Sequence, residues 1–340
     1  ATPVAREGRH ERADRVVGRS ALAVVTVLAA RTEGVGGLRV VGLVRLEEMH
    51  PHEHPRRRGL LGEPALHRGH PVGGVVKLLF QPGEEKSPGG ASLMIADGAL
   101  DNPTPQVIFG QHINPDAPVG EVSFVAGPMM ASADELYWTV RGFGAHAAQP
   151  HKGRDPILAA TGLVPHLQSL VTKRRNPLHP GVMTVTSIHG GTATNIIPDV
   201  VEMKGTLRSF DPAWREEAWA YLTEQTRAYC ALHGCDGSLE IVKGYPPVVN
   251  DAEAVRFARE VAQAILDPER VTDFEPKMWA EDFSFYGERV PACFWMLGGR
   301  PASMDVMPGL HNPKFAPDEE AMITGAALLA ESAVQFLQRR

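Results

Sequence analysis

Lysine is missing from the first seventy residues, which hold twelve arginines; the first lysine is Lys77. Cysteine is scarce throughout, with Cys230, Cys235 and Cys293 the only three in 340 residues. Their spacing builds no disulfide framework and no C-x-x-C motif, which excludes a disulfide-stapled scaffold and fits a reducing, cytoplasmic compartment. No apolar run has the length of a membrane span. Residues 21–30, apolar apart from Thr26, follow Arg15 and Arg19 in the manner of a weak signal peptide. A long polar stretch precedes them, so a buried strand or helix is the expectation. Aromatic residues make up only 6% and the net charge is -6, which argues against a nucleic-acid or anionic-membrane surface as the main role.

What is present describes a globular chain, with 43% hydrophobic and 22% charged residues. At this length two domains are expected, because a single core stops growing first. The segment 1–70 differs in character. It carries six of the fourteen histidines, and Arg56-Arg57-Arg58 follow His50, His52 and His54. A basic surface arm is one reading. Translation out of frame from GC-rich DNA is another, since such DNA favours Arg, Ala, Gly, Pro and His; resequencing the gene decides it.

Beyond Lys77 the pattern becomes regular. Strands are expected at 75–80, 107–110, 136–140, 182–188, 203–210, 239–243 and 294–298, and helices at 91–97, 155–174, 212–233, 252–266 and 319–340. The order β-α-β-β-α-β between 136 and 243 is the split pattern of a small self-contained α+β unit. The outer halves read as one α/β domain interrupted by that unit. At the end of the strand at 75–80, Pro82-Gly83 lead to two adjacent carboxylates, Glu84 and Glu85. Carboxylates at a strand's C-terminal end suit a metal-activated hydrolysis, one Glu binding a divalent ion and its neighbour holding the attacking water. His112 follows the strand at 107–110, where open α/β sheets bind ligands.

Seven segments in order resemble the M20 metallopeptidase family, most closely its amidohydrolase branch of hippurate, N-acyl-amino-acid and auxin-conjugate hydrolases. They are Phe80-Gln81-Pro82-Gly83-Glu84-Glu85, Ile108-Phe109-Gly110-Gln111-His112, the run from Gly144 to His151, the run from Gly190 to Asp199, Gly205-Thr206-Leu207-Arg208, Glu281-Asp282-Phe283-Ser284 and Leu310-His311-Asn312-Pro313-Lys314-Phe315. The resemblance implies a zinc-peptidase-like α/β catalytic domain with an inserted ferredoxin-like lid and dimerisation domain. The expected parts are 1–70 (aberrant or truncated N-terminal part), 71–128 and 244–340 (catalytic), and 129–243 (inserted).

It implies Glu84 as general base, and Glu85, His112 and His311 as ligands of two divalent ions, zinc or manganese, with cobalt or nickel as further options. His146 is expected to steady the oxyanion in a partner subunit's site, while His151 reads as a loop residue. Asn195 and Arg208 are expected to bind the substrate's carbonyl and carboxylate. Met278, Glu281 and Asp282 resemble a segment lining the cleft, with helix capping and solvation as the other reading. The implied substrate is a small N-acyl or N-aroyl amino acid, and the implied assembly a homodimer or higher homo-oligomer.

The family's Met-His-x-Cys-Gly-His-Asp motif has only an echo here, Met49-His50-Pro51-His52-Glu53-His54-Pro55. In that alignment His54 falls on the ligand histidine, His52 replaces the cysteine, and Pro55 supplies no carboxylate. Imidazole can stand in for thiolate at zinc or manganese. The paired glutamates also come earlier than in the family, so an N-terminal helix-strand unit is expected to be missing. A metal-poor relative serving as a binding or dimerisation module, and a dipeptidase or aminopeptidase of the same family, are therefore the alternatives to an amidohydrolase.

Overall fold

The computed structural model describes residues 74–339 and the backbone of two upstream strands, β1 (Val24–Ala30) and β2 (Leu38–Leu43). Within the apolar segment 21–30, Val24–Ala30 thus forms a strand. His52, His54 and most of the segment 1–70 lie outside the described residues.

β3 (Gly74–Gln81) forms because Val75, Val76 and Leu79 alternate into the two faces of a sheet covered on both sides. Its one interruption, Lys77, is buried and sends its ammonium to the carbonyls of Ala99 (3.4 Å) and Asp101. Burial pulls the Lys77 amine below its ordinary value. The large sheet has the order β14-β5-β15-β4-β1-β3-β2, where β4 is Val107–Pro118, β5 Val122–Phe124, β14 Val271–Asp273 and β15 Ala292–Arg300. β1 runs antiparallel to both β3 and β4, and β15 runs parallel to β4. β3, β4 and β15 therefore point the same way and open at the same edge.

Successive side chains of β4 face opposite layers. Val107 and Phe109 pack with α4 (Ala252–Ile265) and α6 (Glu320–Gln338), while Ile108 packs with Leu79, Phe294 and the helices α1 (Gly90–Ala96) and α5 (Ser284–Gly287). β4 is longer than the expected 107–110. Its buried alternation continues through Ile113, Pro115 and Ala117, and β15 stays paired to it as far as Pro118. His112 therefore sits within the strand, opposite Met296.

Between the two halves stands a four-stranded antiparallel sheet of order β12-β7-β11-β9. Its strands are β7 (Asp134–Arg141), β9 (Gly181–His189), β11 (Val200–Ser209) and β12 (Asp236–Lys243), and α2 (Pro156–Leu167) and α3 (Pro212–Leu232) cover one face. Both helices start at an Asp-Pro pair. Asp155 accepts from the amides of Ile157 and Leu158, and Asp211 from that of Trp214, while the proline occupies a position whose N–H would go unused. The helix expected to run to Arg174 ends at Leu167. Pro165 removes one helical donor, and a wider turn, Leu170–Arg174, follows.

Among the described residues two short ribbons complete the pairing of strands: β6 (Gly127–Met130) with β13 (Val248–Asn250), and β8 (Ala145–His146) with β10 (Ile196–Ile197). The two crossings into and out of the four-stranded sheet are stitched together. Buried Asp134 accepts from Arg215 (2.6 and 2.9 Å), Trp219 Nε1 (2.9 Å) and the Gly244 amide (3.2 Å), and Arg215 also reaches the Gly244 carbonyl (3.0 Å).

Candidate functional site

Pro82-Gly83 end β3, and Gly83 takes a φ of +70°, which turns the chain at the open sheet edge. The two glutamates that follow point apart. The carboxylate of half-buried Glu84 joins Glu281 and Asp282, with one oxygen of each within 4.8 Å of the others. Glu85 is exposed, and its Oε1 lies 3.5 Å from Nδ1 of His311 in the segment after β15. His112 lies close enough to Glu85 and His311 to be coupled electrostatically to both. Its Nδ1 is 2.7 Å from the Ile113 carbonyl. A proton on Nδ1 donates there and leaves the Nε2 lone pair for a ligand.

The electrostatics divide along the same line. Burial lifts the Glu84 carboxyl to about 7, helped by the neighbouring charges of Asp282 and Glu85. Burial also holds Glu281 well above the carboxylate range, with Glu84 and Asp282 adding to it. Asp282 is raised by burial and pulled back by hydrogen bonds from the Ala91 amide, Gln81 and the Gly90 amide. Burial lowers His112, keeping its imidazole neutral and able to ligate. Among the described residues no lysine or arginine pairs with Glu84, Glu85, Glu281 or Asp282. Such a concentration of carboxylates calls for protons or a cation. With imidazoles on one side and the buried side-chain Oε1 of Gln81 lacking a partner among the described residues, the donor set fits divalent ions.

The solvated reading of Glu281 and Asp282 does not hold, because they are only 2% and 0% exposed. Arg208, at the end of β11, is half-buried and donates Nη1 to the Met278 carbonyl at 3.0 Å. Burial lowers its pKa, and among the described residues no carboxylate pairs with it. His146 and Asn195 come together elsewhere, on the β8–β10 ribbon. His146 pairs in register with Ile196, the Ala147 amide donates to the Asn195 carbonyl at 2.9 Å, and both side chains are exposed. No hydrogen bond among the described residues joins either to Glu84, Glu85 or His112. His151 lies in the exposed turn Pro150–Lys152.

Two contributors carry little sequence signal as functional residues. Gln81 is 6% exposed and donates Nε2 to Asp282 Oδ1 at 2.5 Å. Its signals are an amide closing a strand that is apolar apart from Lys77 and a place in the segment from Phe80 to Glu85. Tyr245, on the segment returning from β12, donates its hydroxyl to the backbone carbonyl of Glu84. It precedes Pro246-Pro247, which reads only as a boundary.

The model of peptidase family M20/M25/M40 matches residues 65–335. N-acetyl-L-cysteine deacetylase of Bacillus subtilis (strain 168) is 37% identical over 265 residues, which is 78% of this chain and 61% of that protein. IAA-amino acid hydrolase ILR1-like 4 of Arabidopsis thaliana is 34% identical over 284 residues, 82% of this chain and 64% of that protein. The crystal structure of the Bacillus subtilis YXEP protein, a dinuclear metal binding peptidase from the M20 family, superposes with a TM-score of 0.64 at 30% identity, covering 78% of this chain and 66% of that one. The chain thus spans less than two thirds of the length of each of these three. No helix among the described residues is long and apolar enough to cross a membrane. By the extent of these matches the chain belongs to peptidase family M20/M25/M40.

Proposed function

We propose that the chain is a metal-dependent amidohydrolase that cleaves the amide of N-acyl or N-aroyl amino acids. The observation that carries this reading is the division of adjacent carboxylates, Glu84 towards a buried acidic cluster and Glu85 towards two imidazoles. Relatives that deacetylate N-acetyl-L-cysteine and hydrolyse IAA-amino acids support the substrate class. Glu85, His112 and His311 would hold two divalent ions, zinc or manganese, with His54 and His52 as candidates from the upstream segment. When bound, the ions supply an acidified water and a polarised amide carbonyl. Glu84, lifted by burial, takes the proton from the attacking water at its carboxylate and returns it to the leaving amine nitrogen. Arg208 and Asn195 would bind the substrate carboxylate and carbonyl, the guanidinium being desolvated and without an acidic partner among the described residues. His146 would serve the oxyanion of a partner copy, with 129–243 as an inserted lid that also dimerises, 71–128 and 244–340 as the catalytic halves and 1–70 as their N-terminal part.

The test is hydrolysis of hippurate and N-acetyl amino acids by the purified chain with added Mn²⁺ or Zn²⁺, beside metal analysis. Turnover that a chelator abolishes is expected. A second reading, a metal-poor relative kept as a binding module, draws on the degenerate segment from Met49 to Pro55. Absence of both tightly bound metal and hydrolysis would favour it.

A further inference from the structure

The loop between Gln81 and Ala91, which carries Glu84 and Glu85, is held at both ends by one carboxylate nearly two hundred residues away in sequence. Asp282 Oδ1 accepts from Gln81 Nε2 at 2.5 Å, and Oδ2 accepts from the Ala91 amide at 3.0 Å, with the Gly90 amide also directed at this carboxylate. Gln81 is the last residue of β3, and Ala91 lies in the first turn of α1. That helix takes no cap from its own N-cap residue, Gly89, so Asp282 satisfies its leading donors from outside. The glycines are what allow this approach. A Cβ on Gly89, whose φ is +85°, would lie 2.5 Å from Asp282 Oδ2, and one on Gly90 would lie 1.7 Å from the Pro82 carbonyl. Asp282 is fully buried, and each of its oxygens already accepts an N–H.

We propose that Asp282 is a positioning residue, a staple that fixes the ends of the 81–91 loop and so sets where Glu84 and Glu85 point. The proposal rests on the hydrolase reading for its catalytic consequence but not for its structural one. Tyr245 adds a third hold, on the Glu84 carbonyl in the middle of the loop. A staple acts on geometry, so its loss should lower turnover more than substrate binding.

The experiment compares wild type with D282N and Q81L by peptide-resolved amide hydrogen exchange on the metal-free chain, Mn²⁺ stoichiometry, and kcat and KM for an N-acetyl amino acid. D282N presents an amide where the loop needs an acceptor. Its amides at 89–91 should exchange about tenfold faster, the size of one lost hydrogen bond. Its kcat should fall about 100-fold with KM within about threefold, as expected of a misplaced base rather than lost binding. Mn²⁺ should remain bound. Q81L removes one tie only and should lower kcat by about tenfold while leaving exchange at 89–91 near wild type. Wild-type exchange and kcat in D282N would overturn the proposal. So would loss of Mn²⁺ as complete as in E85A, which would make Asp282 a ligand. If D282N does not fold, Q81L decides, and an unchanged kcat there overturns the staple. Should the wild type hydrolyse nothing, the hydrolase reading fails while the exchange measurement still tests the staple.

Discussion

Glu84 and Glu85 share a peptide bond but stand in two different regions of the cleft. Glu84 faces inward to Glu281 and Asp282, both almost wholly buried, and its carboxyl is lifted to about 7. Glu85 faces outward to His311, and both of these side chains are more than half exposed. The same residue type therefore has two chemistries. Low dielectric and like charges make Glu84 a group that can take and return a proton near neutrality. Water and imidazole neighbours make Glu85 a group that can coordinate.

The contrast can be broken in order of effect. Glu84→Gln should lower kcat by about 10³-fold while bound metal is retained, as assay and metal analysis on one preparation would show. Loss of metal instead would erase the distinction between the two glutamates. Glu85→Ala or His112→Ala should weaken Mn²⁺ or Zn²⁺ binding by at least about tenfold, read by competition with a chelator, since loss of a ligand's supporting partner alone costs that much. Unchanged affinity in both would remove the outer side from the metal reading.

The inner side should also show in stability. A carboxyl raised in the folded chain favours folding while protonated, and that contribution is lost as pH rises through its folded value. The metal-free Tm should therefore fall between about pH 4.5 and 7 on account of Glu84, and Glu84→Gln should flatten the fall. A Tm that climbs over this window equally in both proteins would contradict the inner setting. The smallest effect belongs to the outer side. Glu85→Gln should leave the metal-free Tm within about 2 °C of wild type, as for most exposed substitutions.

Much of the framework was legible because burial imposes periods. The apolar run of β3, the split order of the four-stranded unit and the Asp-Pro starts of α2 and α3 are local signals, and each element formed where its pattern lies. β4 misled because a proline and an asparagine interrupt its pattern, while pairing with β15 carries the strand on past His112. For Glu281 and Asp282 a solvated reading stood beside the cleft-lining one, because nothing local tells an acidic residue that it will be covered. Tyr245 was illegible for the same reason, its partner being a backbone carbonyl 161 residues away.

By itself, the sequence determined the element types, the turn at Pro82-Gly83 and the two adjacent carboxylates after it, whose chemistry suits a metal, while His311 joined them as a ligand only through the family resemblance. These follow from side-chain period, backbone freedom and ligand chemistry, which are properties of single residues and their near neighbours. Only the tertiary structure decided which glutamate is buried, that Asp282 ties both ends of their loop, and that His112 turns one nitrogen to Ile113. Those depend on which distant segments exclude water around a charge, and no local pattern encodes that.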